Sequence, residues 1–313
     1  MKTTIKIGYG VGQLADGVKT AAFATFLFFY YNQVLGLSGS LAGTAALLAL
    51  MIDAVTDPMV GQISDNWRSR LGRRHPFMIA GSIPFGIAVF MLFSPPDGLG
   101  QMGLFGWLLG WAVAVRLMLT LFFVPHLSLG SEIVRDYHER TSLIGYRVFF
   151  SYFGNLLVSV LGFAVFFSPV EGYSNGMLNP ANYGGFGVFV GVLGTVAMLW
   201  CIATTFHLIP TLKTPTQQQS TRNPLFAVIE VFATLREKAF RVLFFSTLMF
   251  NVLAGVSLTL IVYVATYVFG FDSKHWALLA TSPLVGILLA SSIAQFLSRK
   301  LDKRLASGFC ALA

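Results

Sequence analysis

Successive runs of about twenty apolar residues, separated by short loops rich in Lys and Arg, constrain this chain more than any other feature. A run of that length spans the hydrocarbon core of a bilayer as a helix, because a helix satisfies its own backbone groups where no water is available. Such runs predict helices at 8–31, 41–63, 77–95, 103–128, 144–168, 185–209, 242–269 and 276–297, with a ninth beginning near Leu305. Composition agrees: 55% of the 313 residues are hydrophobic and 11% charged, against about 25% charged in a soluble domain. The expected fold class is an all-α polytopic membrane protein.

The loops set an expected orientation. Of the 21 Lys and Arg, 18 fall in loops on one side, two (Lys19 and Arg116) lie within spans, and only Lys274 falls in a loop on the other side. By the positive-inside rule the amino terminus is cytoplasmic. Juxtamembrane basic residues facing an anionic leaflet also account for the net charge of +8, so nucleic-acid binding is not expected. Cys201 and Cys310 sit in apolar runs and provide no disulfide or metal framework. The polar start Met1–Lys6, followed by a run long enough to span, does not read as a cleavable signal peptide.

The longest polar stretch, with Thr214-Pro215-Thr216-Gln217-Gln218-Gln219-Ser220, cannot bury enough apolar surface to pack by itself. It divides the chain into an amino-terminal six-helix bundle (1–210), a cytoplasmic linker (211–240) and an incomplete second bundle (241–313). A weak repeat supports the division. The basic, Asp-containing loop Gly61–Arg74 follows the second span, and Ser298–Arg304 follows the eighth. Parallel six-helix repeats are the signature of a major facilitator fold. On that reading the chain is a fragment of a twelve-helix protein, lacking three helices and most of a ninth.

Apart from Arg147, counted with the loop that leads into the fifth run, five charged groups remain inside the predicted spans: Asp16, Lys19, Asp53, Asp57 and Arg116. Each is expensive in hydrocarbon and needs a partner or a water-filled cavity. Asp53 and Asp57 are four residues apart, which places both carboxylates on one helical face, where they repel unless a cation lies between them or one is protonated. Pro58 lacks an N–H, so the carbonyl of Ala54 loses its helical partner. With the Thr56 hydroxyl, these oxygens form a candidate cage for a hard ion such as Na⁺, or a site for H⁺. The alternative is that Asp53 or Asp57 pairs with Lys19 or Arg116 and only locks helices together. Asp16 and Lys19, three apart, either neutralise each other or bind substrate; Arg116 either snorkels, pairs with an acid or joins the substrate site.

Other features carry less. Trp107 and Trp111 fit interfacial anchors better than sugar-stacking platforms. Gly10, Gly12, Gly184, Gly185, Gly187 and Gly191 fit close helix packing better than a phosphate cradle, since none follows a strand. His126, beside Pro125, reads as structural.

Several motifs in order carry a family resemblance: Asp53-Ala-x-x-Asp57-Pro58-x-x-Gly61, the loop ending Leu71-Gly72-Arg73-Arg74, Pro125-x-x-x-Leu129-Gly130-x-Glu132, and Asp136-x-x-Glu139-Arg140-Thr141 leading to Tyr146-Arg147. Together they resemble the glycoside-pentoside-hexuronide:cation symporter family of the major facilitator superfamily, from Tyr9 to about Tyr152. The resemblance implies that Asp53 and Asp57 are cation-binding aspartates. It also implies that Tyr146 and Arg147 lie beside a fifth-helix arginine near the sugar, although an ungapped match puts Val148 there. Two sugar-holding acids of melibiose-type members align with Gly17 and Phe123, so a galactoside is not implied.

The expected function is cation-coupled symport of a sugar or glycoside by alternating access, in a bacterial inner membrane, with no cofactor beyond the coupling Na⁺ or H⁺. The basic loop, through Asp65, Arg73 and Arg74, is expected to close the cytoplasmic side together with Glu132, Asp136 and Arg140. Partners are a small-molecule substrate and membrane lipids, and a monomer is the expected state. The alternatives are transport of a lysolipid or other amphiphile, a membrane-bound enzyme acting on lipid or prenyl substrates, and a non-transporting receptor or scaffold. An enzyme of that kind needs an acidic or His motif at the membrane surface, whereas this acid pair lies within a span.

Overall fold

The computed structural model describes residues 2–134, 136–170, 172–173, 175–211, 234–271 and 275. The predicted span 276–297, the start near Leu305, the loop Ser298–Arg304 and most of the linker lie outside them. The described chain is helical: α1 (Thr3–Val11), α2 (Leu14–Ala21), α3 (Gly39–Asn66), α4 (His75–Leu92), α5 (Gln101–Ile133), α6 (Tyr137–Leu161), α7 (Ala181–Thr205) and α8 (Lys238–Tyr263). Among the described residues six helices are long and apolar enough to cross a membrane. The run from Thr3 to Val34 is not one of these six because it is divided into α1, α2 and the wide-turn π segments Ala22–Leu27 and Tyr30–Val34.

The helices generally start before the apolar runs do, because polar capping residues precede the membrane-compatible stretch. Ser38 caps α3, its hydroxyl accepting from the Leu41 N–H at 3.4 Å. Asp136 caps α6 in the same way, its carboxylate accepting from the Glu139 N–H at 2.9 Å. This satisfies a donor that the first turn otherwise leaves open. His75-Pro76 opens α4, where a missing proline N–H does no harm. At the far ends α6 and α8 pass into π turns at Gly162–Phe166 and Val264–Val268.

Packing places the broken first helix at the centre. α1 lies against α6 and α7, α2 mainly against α6, α4 against α5 and α7, and α3 against α5. α8 reaches the first π segment, and its Tyr263 hydroxyl donates to Asn32 Oδ1 of the second at 3.2 Å. Between helices in lipid there is no hydrophobic drive to associate, so close packing and hydrogen bonds hold them. Phe26 is ringed by Phe163, Phe167 and Phe186, with centroids 4.7 to 5.0 Å away. Three buried tyrosines each donate to a carbonyl: Tyr9 to His126 at 2.9 Å, Tyr31 to Leu92 at 2.8 Å and Tyr183 to Met177 at 2.8 Å. Each thereby hides a polar group that lipid would not solvate.

His126 is structural, as expected. It is fully buried, stacked on Tyr9 at 4.2 Å, and its Nε2 lies 3.0 Å from the Tyr9 carbonyl. That carbonyl stands just before the Gly12–Gln13 break between α1 and α2. Gly10, Gly12, Gly187 and Gly191 do permit close packing; a Cβ at Gly12 would lie 2.9 Å from Cys201 Sγ. Gly184 and Gly185 stand in looser contact: a Cβ there would lie 3.6 Å from Ser94 Oγ and 3.7 Å from the Phe166 ring. Trp107 turns its indole N–H into the bundle, donating to the Met91 carbonyl at 2.9 Å.

Gly17 is the tightest crossing. A Cβ there would sit 1.8 Å from the Ser151 carbonyl oxygen of α6, so this packing admits no side chain. Gly110 on α5 has nothing within 4 Å. Gly17→Ala is therefore expected to destabilise the protein by on the order of 3 kcal/mol, a fall in Tm of roughly 5–10 °C. Gly110→Ala should hold or slightly raise the Tm. Thermal unfolding in detergent checks both, and an unchanged Tm for Gly17→Ala would contradict the α2–α6 crossing.

Candidate functional site

Asp53 and Asp57 lie on one face of α3, which continues through Pro58 to Asn66. α5 supplies what faces them, using the same spacing: Arg116 and Thr120 are also four residues apart. Arg116 Nη1 donates to Asp53 Oδ2 at 2.6 Å, forming an ion pair between partly buried side chains. Thr120, itself buried, has its hydroxyl 2.7 Å from Asp57 Oδ1 and 3.3 Å from Asp53 Oδ1. A hydroxyl carries one proton and donates to one acceptor at a time, and the shorter contact favours Asp57. The two acids thus have unequal surroundings. Asp53 is matched by a guanidinium, whereas Asp57 has a neutral donor and, among the described residues, no ion-pair partner.

The helix-locking pair considered from sequence therefore exists for Asp53 through Arg116. Thr56 sits between the two acids in sequence, but its hydroxyl folds back onto the Asp53 backbone carbonyl at 3.3 Å. The Ala54 carbonyl lies one turn before Pro58, without a proline N–H to receive. Thr120 is the residue that sequence reading missed. Its signal was the i, i+4 spacing from Arg116, the same spacing that singled out the acids.

A second polar layer joins the first helix to α6. Asp16 and Lys19 pair at 3.5 Å. Gln13 Nε2 donates to Asp16 Oδ2 at 3.4 Å, and Arg147 Nε donates to Gln13 Oε1 at 3.1 Å. Gln13, also missed, uses both ends of its amide to link Asp16 to Arg147. Tyr146 packs towards α1, where a Cβ on Gly10 would lie 3.0 Å from its Cβ. Between the first helix, α3 and α5 lies a cavity of about 300 Å³ whose lining includes Lys19, Phe23, Phe28, Ala49, Leu108 and Arg116. Arg116 is common to the acid pair and to this cavity.

A separate charged cluster sits at the basic-loop ends of α3, α4 and α5. Gly72, at φ 76°, takes a left-handed conformation that other residues resist. This turn, held by the Ser69 hydroxyl donating to the Gly72 carbonyl at 2.6 Å, brings Arg73 and Arg74 back to the bundle. Both meet Glu132: Arg73 Nη2 at 2.6 Å and Arg74 Nε at 2.7 Å from Oε1. Arg74 Nη1 also lies 2.9 Å from Asp65 Oδ1. Glu132 and the two arginines are 5 to 15% exposed, whereas Asp65 is 48% exposed. The carboxylate of Asp136 caps α6, and Arg140 lies on its exposed side. Lys6 approaches Glu139 at 4.0 Å, tying α1 to the start of α6. Among the described residues no group of three or more His, Cys, Asp or Glu side chains is gathered to hold a metal.

Relatives can now be set beside this geometry. The chain is 33% identical over 204 residues to the putative glycoside/cation symporter YagG of Escherichia coli, covering 64% of this chain and 42% of that protein. It is 29% identical to the uncharacterized symporter YnaJ of Bacillus subtilis, over 94% of this chain and 62% of the relative. With the inner membrane symporter YicJ of Escherichia coli it shares 27% identity, over 93% and 60% of the respective lengths. The chain thus spans less than two thirds of the length of these relatives. A family profile described as MFS/sugar transport protein matches residues 8–313. The chain belongs to that MFS/sugar transport family, in agreement with its resemblance to the glycoside-pentoside-hexuronide:cation symporters.

Proposed function

We propose that the protein is a secondary transporter in which binding of Na⁺ or H⁺ is coupled to movement of a sugar or glycoside by alternating access. The observation that carries this is the unequal acid pair on α3. Asp53 has its charge matched by Arg116, while Asp57 is held, among the described residues, by the neutral Thr120 hydroxyl. A carboxylate without a counter-ion inside a bundle is poised to take a cation or a proton, because either removes a charge that the surroundings solvate poorly. Asp53, Thr120, the Ala54 carbonyl and Thr56 are the further oxygens that a metal cation would use. Relatives named as a glycoside/cation symporter and as an inner membrane symporter support the coupling, the sugar class of substrate and a bacterial inner membrane. Such transport makes and breaks no covalent bond, so no enzyme activity is proposed.

In this reading the amino terminus is cytoplasmic and residues 1–210 form the first bundle. Residues 211–240 connect it to 241–313, which belong to a second bundle, and one chain acts as a monomer. The Arg73–Arg74–Glu132 cluster, with Asp65, then closes the cytoplasmic face of the bundle. Asp16, Lys19, Arg116, Tyr146 and Arg147 supply the substrate side, with Arg147 acting through Gln13. Opening to the cytoplasm requires the cluster to part. Closure to the cytoplasm rejoins it.

Uptake into proteoliposomes with and without a Na⁺ or pH gradient tests the coupling. Asp57→Asn should abolish gradient-driven accumulation, and where Na⁺ is the coupling ion Thr120→Ala should weaken its apparent affinity by roughly tenfold through loss of an oxygen ligand. Unchanged gradient dependence in Asp57→Asn would sink the proposal.

The gate makes a separate prediction about stability. Glu132→Gln leaves two buried guanidinium groups without their shared anion, which is expected to destabilise by about 3 kcal/mol or more. Asp65→Asn, at a half-exposed position, should cost about 1 kcal/mol or less. Tm measurements on the two variants check the order, and equal effects would argue against a gate centred on Glu132.

A further inference from the structure

We infer that Asn32 and Gln33 of the first helix and Tyr263 and Tyr267 at the end of α8 form an uncharged latch, which holds shut the end of the molecule remote from the Glu132 cluster. The contact falls where residues meet their own counterparts in the other half of the chain. This rests on the alternating-access reading above and adds the residues that close the second mouth.

The two helices end in the same way. Tyr30–Leu37 and Val264–Phe271 are offset by 234 residues, the separation of Gln33 and Tyr267. Both begin as π turns, over Tyr30–Val34 and Val264–Val268. In the first, the Leu35 N–H donates to the Tyr30 carbonyl at 3.0 Å and the Leu37 N–H to the Tyr31 carbonyl at 2.8 Å. In the second, the Phe269 N–H donates to the Val264 carbonyl at 3.2 Å and the Phe271 N–H to the Ala265 carbonyl at 2.9 Å. The glycine between is left-handed in both, Gly36 at φ 74° and Gly270 at φ 63°. The match holds bond by bond, so the two segments are copies of one structural unit.

Counterparts then touch. The Tyr267 hydroxyl donates to Gln33 Oε1 at 2.6 Å, and these two residues occupy one position of the repeat. One turn earlier Phe29 and Tyr263, also 234 residues apart, bring their ring centroids to 5.7 Å. A residue meets its own counterpart only on a two-fold axis, so the approximate axis relating the halves passes between these pairs. Off the axis each contact has a mate. Tyr263 donates to Asn32 Oδ1 at 3.2 Å, and the counterparts of these two are Phe29 and Thr266. Phe29 has no hydroxyl, and the Thr266 hydroxyl is buried without a hydrogen-bond partner among the described residues. The chain makes one bond of the pair and lacks the other.

Position and chemistry suit a contact that opens and closes. Gln33 Nε2 donates to Asn32 Oδ1 at 2.6 Å and Asn32 Nδ2 to the Leu37 carbonyl at 2.9 Å, so both amides are fixed where the tyrosines meet them. Tyr267 is 57% exposed, so water takes over its bond when the helices part and no polar group is stranded. Beneath it Tyr263 lies 6.2 Å from Phe28, which also lines the cavity between the first helix, α3 and α5. The latch therefore roofs that cavity. α3 begins beside this end and runs 28 residues to the basic loop, which sets the latch and the Glu132 cluster on the order of 40 Å apart. Halves that rock about a site between two mouths part at one end as they close at the other. Breaking the latch opens its end.

Labelling of single introduced cysteines by a membrane-impermeant maleimide, in sealed vesicles of either orientation, tests this without cation or substrate. Ala46→Cys, in the cavity beneath the latch, reports access from the latch side. Gly145→Cys, where a Cβ meets nothing within 4 Å, reports access from the basic-loop side through the groove between α1 and α6. The protein without either change gives the background from Cys201 and Cys310. Tyr263→Phe and Tyr267→Phe should each speed labelling at position 46 by about fivefold, the worth of one neutral hydrogen bond, with no rise at position 145. Phe29→Tyr, which supplies the hydroxyl missing opposite Thr266, should slow labelling at position 46, and adding Thr266→Val should cancel that change. Unchanged labelling in both tyrosine variants overturns the latch, as does a rise at both reporters, the mark of a loosened fold. Failure of the cation-coupled reading shows separately, as persistent gradient dependence in Asp57→Asn with the labelling pattern intact.

Discussion

An ionised side chain in the interior of a membrane bundle must be compensated where it stands, and this requirement shapes the contact between α3 and α5. Arg116 and Thr120 occupy one face of α5 because they meet Asp53 and Asp57 on one face of α3, each pair separated by a single helical turn. One positive charge and one hydroxyl serve two acids, so compensation is incomplete at Asp57 among the described residues. A purely structural lock would gain nothing from a second carboxylate placed beside the first. In the proposed function, the surplus acid is what makes the contact responsive to a cation or proton.

The same requirement explains how far sequence could be read. Long apolar runs and the five charges within them were legible, because both follow from the chemistry of hydrocarbon and from helical spacing. Spans, the acid pair and the basic loop could be placed on that ground, and helix ends were displaced where polar caps such as Asp136 extend a helix beyond its apolar run. Partners across helices were not legible. Lys19 and Arg116 were equal candidates for Asp53 until the packing of α3 on α5 placed Arg116 at 2.6 Å. Thr120 and Gln13 are common polar residues in helices, and their roles depend on neighbours more than 60 and 130 residues away in sequence.

Gly17 shows the limit in another form. Alignment with melibiose-type symporters set a sugar-holding acid at this position, yet the α2 backbone there runs so close to Ser151 that a Cβ has no room. The carboxylate of this turn is Asp16, tied to Lys19 and Gln13. A one-residue offset on a helix moves a side chain by about 100° around the axis, so residue identity alone could not say which face carries the acid. The break at Gly12–Gln13 lies just before it. There the Tyr9 carbonyl is held by His126 from α5 and approached by Cys201 from α7, so the interruption is covered by neighbouring helices rather than left to lipid.

The proposed ion site and the proposed gate share their scaffold. Asp57 and Asp65 are eight residues apart on α3, about 12 Å along the axis, and Thr120 and Glu132 are twelve apart on α5, about 18 Å. Each helix carries one proline in that interval, Pro58 on α3 and Pro125 on α5. A proline removes one backbone hydrogen bond and makes a helix easier to bend there without ending it. The charged contacts on either side of these prolines connect the two helices at two levels, through Arg116 and Thr120 at one and, at the other, through the loop residues Arg73 and Arg74, which join Asp65 of α3 to Glu132 of α5. Changing the charge balance at the acid pair alters the first set of contacts while the second remains in place. Strain between the two levels then falls on the proline-containing turns, which gives the proposed coupling a covalent path from ion site to gate along two helices.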